Sequence, residues 1–291
     1  MEDNREINAL LTLIDDPDEE VYFTVEQRLM AYGSPVIPQL EDLWEHTMSE
    51  GVQERIEMII HRIHFSDLKK EIGQWYKGDQ DLLHGALLVA KYQYPDLQTV
   101  KALQEVEKMR RNLWLEMNNF ITPIEQVKIF ESILYNYYKL QGSEVNYSKN
   151  EHFAIHKVIE SKKGNAITNG ILYLVLASLL DLPIRAIRVP RQFVLGYFSM
   201  TALFNHSFEK GKASEQIKFF IDPNTGTAFS HKDLGQYFKR INVPPVNSYY
   251  KPVSNPGIIK TLLEENAKCF DKPALLYKKD ELMELSNLMD D

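Results

Sequence analysis

From Ile167 to Leu180 the chain offers a helix with no polar side, because Ile171, Leu172, Leu174, Val175, Leu176, Leu179 and Leu180 cover every face of it. A helix that is apolar all round either crosses a membrane or lies in a core, and this run is too short to cross. It therefore belongs at the centre of a globular fold. Before it, Glu160-Ser161-Lys162-Lys163-Gly164-Asn165 reads as a polar turn, and after it Asp181-Leu182-Pro183 reads as a break. Two β-rich runs follow, Ile184–Val189 and Phe193–Phe198, separated by Pro190. Ser199–Gln216 is polar and reads as a loop. A third strand, Ile217–Ile221, is closed by the turn Asp222-Pro223-Asn224-Thr225-Gly226. A buried helix packed on a small antiparallel sheet, reached after a long helical stretch, is an α+β arrangement.

At 291 residues the chain can form one large or two modest domains. A net charge of −8 argues against a surface that tracks phosphates, so nucleic acid is not an expected partner. No apolar run approaches the length of a membrane span, and Met1-Glu2-Asp3-Asn4-Arg5-Glu6 is a charged start without a signal core. The expectation is a cytoplasmic protein that does not engage a membrane. With Cys269 as the single cysteine, neither an intrachain disulfide nor an all-thiolate metal site can form. Nothing in the sequence calls for a cofactor or fixes an oligomeric state.

The first third of the chain has helical periodicity throughout. Ile7, Leu10, Leu11 and Ile14 mark one helix, Val21, Val25, Leu29 and Met30 a second, Val36 to Trp44 a third, and Val52–Tyr76 a fourth. Their Asp-Pro and Gly-Ser-Pro corners resemble a degenerate HEAT-type repeat. An ordinary helical subdomain explains them equally well. Further helices are expected from Leu82, over Val100–Met117, over Val127–Leu140 behind a Thr122-Pro123 start, and over Glu151–Glu160. Past Lys239 a Pro-rich linker leads to a helical pair, Ile258–Phe270 and Asp280–Met289, similar in position to a tetratricopeptide-like tail. The expected organisation is 1–78 helical, 82–240 core domain, and 241–291 linker and tail.

Several separate pieces, in order, carry a resemblance to a known family. They are Asn146-Tyr147, Val158 to Ile167, Ile171-Leu172-Tyr173, Leu182-Pro183, Arg191-Gln192-Phe193-Val194 and Phe220-Ile221-Asp222-Pro223. Together, over about Leu82 to Lys239, they resemble the SirB-type transglutaminase-like family. That resemblance implies the papain-like α+β fold of transglutaminases and, in this branch, generally no catalytic cysteine.

In active transglutaminases and thiol proteases a Cys at a helix N-terminus is deprotonated by a strand His that an Asp or Asn orients. Carried onto this chain, the Cys slot falls at Ala166 or close by, where Thr168 is the one hydroxyl, and the His slot falls on Gln192. Only Asp222 keeps its type. Where the family has Pro in the turn this chain has Ala166, and where it has Asn before the helix this chain has His152. A glutamine has no accessible protonation near neutral pH and cannot act as a base. Each residue also has a plainer reading: Thr168 as a helix-start hydrogen bonder, Asp222 as an Asx turn, Gln192 as a surface amide.

His152 and His156, four apart on an expected helix, form a weak candidate metal pair with no third ligand marked. Cys269 reads as a structural thiol, with a rearranged dyad to His206 or His231 as the competing reading. Arg185, Arg188 and Arg191 lie on or beside one strand, where period-two geometry turns Arg188 away from the other two. Two functions are weighed. One is a non-catalytic scaffold that binds a protein or peptide. The other is a hydrolase or acyltransferase working through Thr168 or a His152/His156 metal site.

Overall fold

The computed structural model describes residues 2–118, 120–200 and 213–290. The chain divides into two units, Met1–Gln74 and Trp75–Asp291.

In the first unit, helices α1 (Glu2–Thr12), α2 (Glu19–Tyr32), α3 (Ile37–His46) and the larger part of α4 (Glu50–Lys77) share one core of Ile14, Leu29, Leu40, Ile56, Ile59 and Ile63. Their ends follow local chemistry. Asp18 caps α2 by accepting from the Glu20 amide, and Gly33, at φ +69°, lets the chain leave α2 in a backbone region that side chains avoid. Arg55 ties the α1–α2 corner to α4 by donating to the carbonyls of Ile14 (2.9 Å) and Asp16 (2.7 Å). Glu26, 2% exposed, is neutralised by Arg62.

The second unit is built round one central helix. Helices α5 (Leu82–Lys91), α6 (Thr99–Glu116) and α7 (Pro123–Phe130) lead to strand β1 (Gln141–Ser143), helix α8 (Ile155–Ser161) and strand β2 (Lys163–Asn165). Helix α9 (Ala166–Ser178) comes next and is buried from Ile167 to Ala177, as its apolar faces require. Strands β3 (Ile184–Val189), β4 (Gln192–Phe198), β5 (Ile217–Ile221) and β6 (Ala228–Phe229) form an antiparallel sheet in that order. Helix α9 packs on β3 and β4, while α5, α6 and α8 pack on α9. The other side of the sheet is closed by Leu234 and Phe238 of α10 (His231–Arg240) and by Tyr249 and Tyr250, over Ile187, Val194 and Phe220. Helices α11 (Asn255–Ala267) and α12 (Leu276–Asn287) pair with each other, and α11 lies on α5. The edge of β3 is covered as well, since the Val253 amide donates to the Ala186 carbonyl at 2.9 Å. Among the described residues no helix is long and apolar enough to cross a membrane.

Three expectations require correction. The helix expected over Val127–Leu140 changes at Glu131 into a π-helical turn ending at Tyr137, where the Tyr138 amide reaches back to Ile133 at 2.9 Å. The helix expected over Glu151–Glu160 is interrupted by extended backbone at Ala154, so a short 3-10 turn, Asn150–Phe153, precedes α8. Strands β1 and β2, which pair in parallel, were not foreseen. Most of the Ser199–Gln216 loop lies outside the described residues, and its end, Ala213–Gln216, is a 3-10 turn.

Candidate functional site

The head of α9 is sealed by its own sequence. Asn165 stands at the N-cap and its Oδ1 accepts from the amides of Ile167 (3.0 Å) and Thr168 (3.1 Å). Thr168 completes the capping box by accepting from the Asn165 amide at 3.2 Å. Its hydroxyl donates to the His152 carbonyl at 2.9 Å, and the Asn165 side-chain amide donates to the same carbonyl at 3.3 Å. Asn165 and Thr168 are both fully buried. The first amides of α9 are answered by the Asn165 side chain, and the two hydroxyls at this helix end each donate to a carbonyl, Thr168 to His152 and Ser143 to Gly164 at 3.1 Å.

The stretches that carry Gln192 and Asp222 both reach α9 at Gly170, one turn on from Ala166. Ala166 is the first residue of α9 and half-buried. One turn on, Gly170 lies under the residues that follow the other two slots: a Cβ there would come within 2.5 Å of the Phe193 ring and 3.4 Å of the Pro223 Cβ. Gln192 opens β4 with an exposed side chain that makes no hydrogen bond among the described residues. Asp222 follows β5 directly, but its carboxylate is engaged locally. Oδ1 accepts from the Asn224 amide at 2.8 Å and Oδ2 from the Thr225 hydroxyl at 3.4 Å, which is an Asx turn.

Residues that the periodicity did not mark hold this arrangement. Tyr135, carried by the π-helical turn, donates to the Pro223 carbonyl at 2.6 Å and covers Gly226, which sits at φ +74°. Burial, and then the Asp222 carboxylate, hold the Tyr135 phenol well above its ordinary range, so it stays a donor. Gly142 and Gly164 are opposite each other across β1 and β2, and each leaves room for an amide: Asn224 against Gly142, Asn169 against Gly164. Asn169 donates to the Gln141 carbonyl at 3.2 Å. The signal for Asn165 was present, an Asn three residues ahead of a Thr at the start of an apolar run. No local signal marks Tyr135, whose partner is far along the chain.

The two candidate metal ligands go to separate places. His152, in the 3-10 turn, has Nδ1 at 3.5 Å from the Ser143 hydroxyl. His156, on α8, stacks edge-on with Tyr94 at 4.7 Å and is 7% exposed. Burial, and next Lys157, hold its pKa below the ordinary histidine value. The break at Ala154 removes the shared helical face on which the pairing rested. Among the described residues no group of three or more His, Cys, Asp or Glu side chains is placed to hold a metal ion. Cys269 follows α11, and burial, then Asp271 and Glu265, push its thiol up to about 11. Of its two suggested partners, His231 bonds the Ile217 carbonyl at 2.8 Å through Nε2, and His206 lies outside the described residues. Arg188 and Arg191 are exposed and Arg185 is half-buried.

A sequence profile described as the transglutaminase-like superfamily matches residues 100–264. Two curated proteins, Protein SirB1 of Salmonella typhimurium (strain LT2) and Protein SirB1 of Salmonella typhi, are each 22% identical to this chain over 187 residues, covering 63% of it and 64% of their own length. The chain thus spans just under two thirds of the length of these relatives. No solved structure matches it.

Proposed function

The chain belongs to the transglutaminase-like superfamily, in its SirB-type branch, and from that premise we propose that it is a non-catalytic member that binds a protein or peptide. The observation that carries this reading is the state of the head of α9. Ala166 stands where the thiol would be, Gln192 where the base would be, and the Thr168 hydroxyl is buried and bonded to the His152 carbonyl. In this reading neither Ala166 nor Gln192 can serve as nucleophile or base.

Binding is supported by what is exposed. The Gln192 side chain is exposed, and Trp114 and Leu115 at the end of α6 are 60% and 69% exposed. The helices of the first unit, as a HEAT-like arm, and the α11–α12 pair, as a tetratricopeptide-like tail, complete the scaffold in this reading, which places the protein in the cytoplasm. The enzymatic alternative through Thr168 or the His152/His156 pair has no observation in its favour.

The test is photo-cross-linking inside the native cell. A benzophenone side chain at Gln192 is expected to capture a discrete protein or peptide, and the same group at exposed Lys272 is expected not to. The same adduct pattern from both positions, or none from Gln192, would count against the proposal.

A further inference from the structure

The second unit contains a cavity of about 460 Å³ that touches none of the degenerate triad positions. It lies among α5, α6, α9, β3 and the start of α11, with walls that include Leu83, Val106, Leu174, Val175 and Ile258. Its lining is polar and apolar in about equal measure, and a cleft of that size in which polar groups face apolar side chains suits a small amphipathic molecule.

One of its polar groups lacks a counter-ion. Arg185 on β3 lines the cavity and is half-buried, yet its one hydrogen bond goes to the carbonyl of the preceding residue, Ile184, at 2.8 Å. Among the described residues no carboxylate pairs with it. A guanidinium keeps its charge under any ordinary condition, and a partly desolvated cation without a partner is unfavourable. The carboxylates that share the wall are held elsewhere. Asp81 caps α5 by accepting from the His84 amide at 2.7 Å, and Glu107 is clamped by Arg110 through two bonds of 2.7 Å. Asn255, also on the wall, donates to the Gln80 carbonyl at 3.1 Å.

We infer that this cavity binds a small monocarboxylate with an apolar tail, its carboxylate on Arg185 and its tail between α6, α9 and α11. The planar fork of arginine matches a carboxylate, and the apolar walls match a chain of on the order of ten carbons. This site is independent of the partner-binding role, and neither depends on the other.

Calorimetric titration of the full chain with decanoate and with decanol tests it. Wild type is expected to bind decanoate saturably and roughly ten- to hundred-fold more tightly than decanol, the span of a charge-assisted bond. Arg185→Gln is expected to abolish that preference. Leu103→Trp, at a rim position 47% exposed, is expected to weaken both ligands. Absence of saturable decanoate binding, or a preference that survives Arg185→Gln, would overturn the assignment. Should Arg185→Gln not fold, Leu103→Trp decides, and unchanged decanoate affinity in that variant overturns it equally.

Discussion

Thr168 commits its hydroxyl twice, as acceptor from the Asn165 amide and as donor to the His152 carbonyl, and both commitments stabilise the start of α9. Thr168→Val keeps the shape and removes both bonds, so it is expected to cost about 1–2 kcal/mol in urea unfolding, whereas Thr168→Ser is expected to cost less. A hydroxyl working as a nucleophile would give the reverse profile, with activity lost and stability kept. Cys269 admits a similar test. With its thiol pushed up to about 11 by burial and by Asp271 and Glu265, the thiolate is scarce at neutral pH. Alkylation by iodoacetamide at pH 7 is expected to run on the order of a hundred-fold slower than for an unperturbed thiol, and to accelerate as pH rises toward that value. Fast alkylation at pH 7 would reopen Cys269 as a reactive group.

At the scale of elements, what was legible in the sequence is what local pattern determines. The apolar run gave α9, alternation and turns gave β3 and β5 with their observed bounds, and Thr122-Pro123 gave the start of α7 through a capping box with Glu125. The rest depends on contacts between distant residues. Gln141-Gly142-Ser143 and Lys163-Gly164-Asn165 have no apolar alternation, and they become strands because the facing glycines let Asn224 and Asn169 close on them. The π-helical turn likewise has no local signal, since it serves to carry Tyr135 to Pro223. Two glycine substitutions separate these causes. Gly142→Ala would bring a Cβ to 2.4 Å from the Asn224 backbone, and is expected to destabilise by about 1–3 kcal/mol. Gly235→Ala, in α10 with open space around it, is expected to stabilise by up to about 1 kcal/mol. Thermal unfolding of both variants checks the contrast.

Across the whole molecule, the second unit is an α+β core compatible with the transglutaminase-like superfamily: a buried helix packed on β3 and β4, with Asp222 directly after β5. The side chains around that helix serve the fold. Asp222 shapes its turn, Thr168 caps its helix, and Asn165 answers the free amides. The family resemblance was readable from short ordered motifs, as was the presence of Ala166 and Gln192 where that resemblance implies a thiol and an imidazole. Where the remaining groups direct their hydrogen bonds was not readable, because the partners of Thr168 and Tyr135 are set by how the chain closes on itself. The most direct measurement is intact-mass analysis of the wild-type protein after incubation with a panel of activated acyl esters, with Thr168→Ala alongside. The expected result is no stable acyl adduct and no ester turnover above that of the variant. A covalent adduct at the head of α9, or turnover that Thr168→Ala abolishes, would contradict the account.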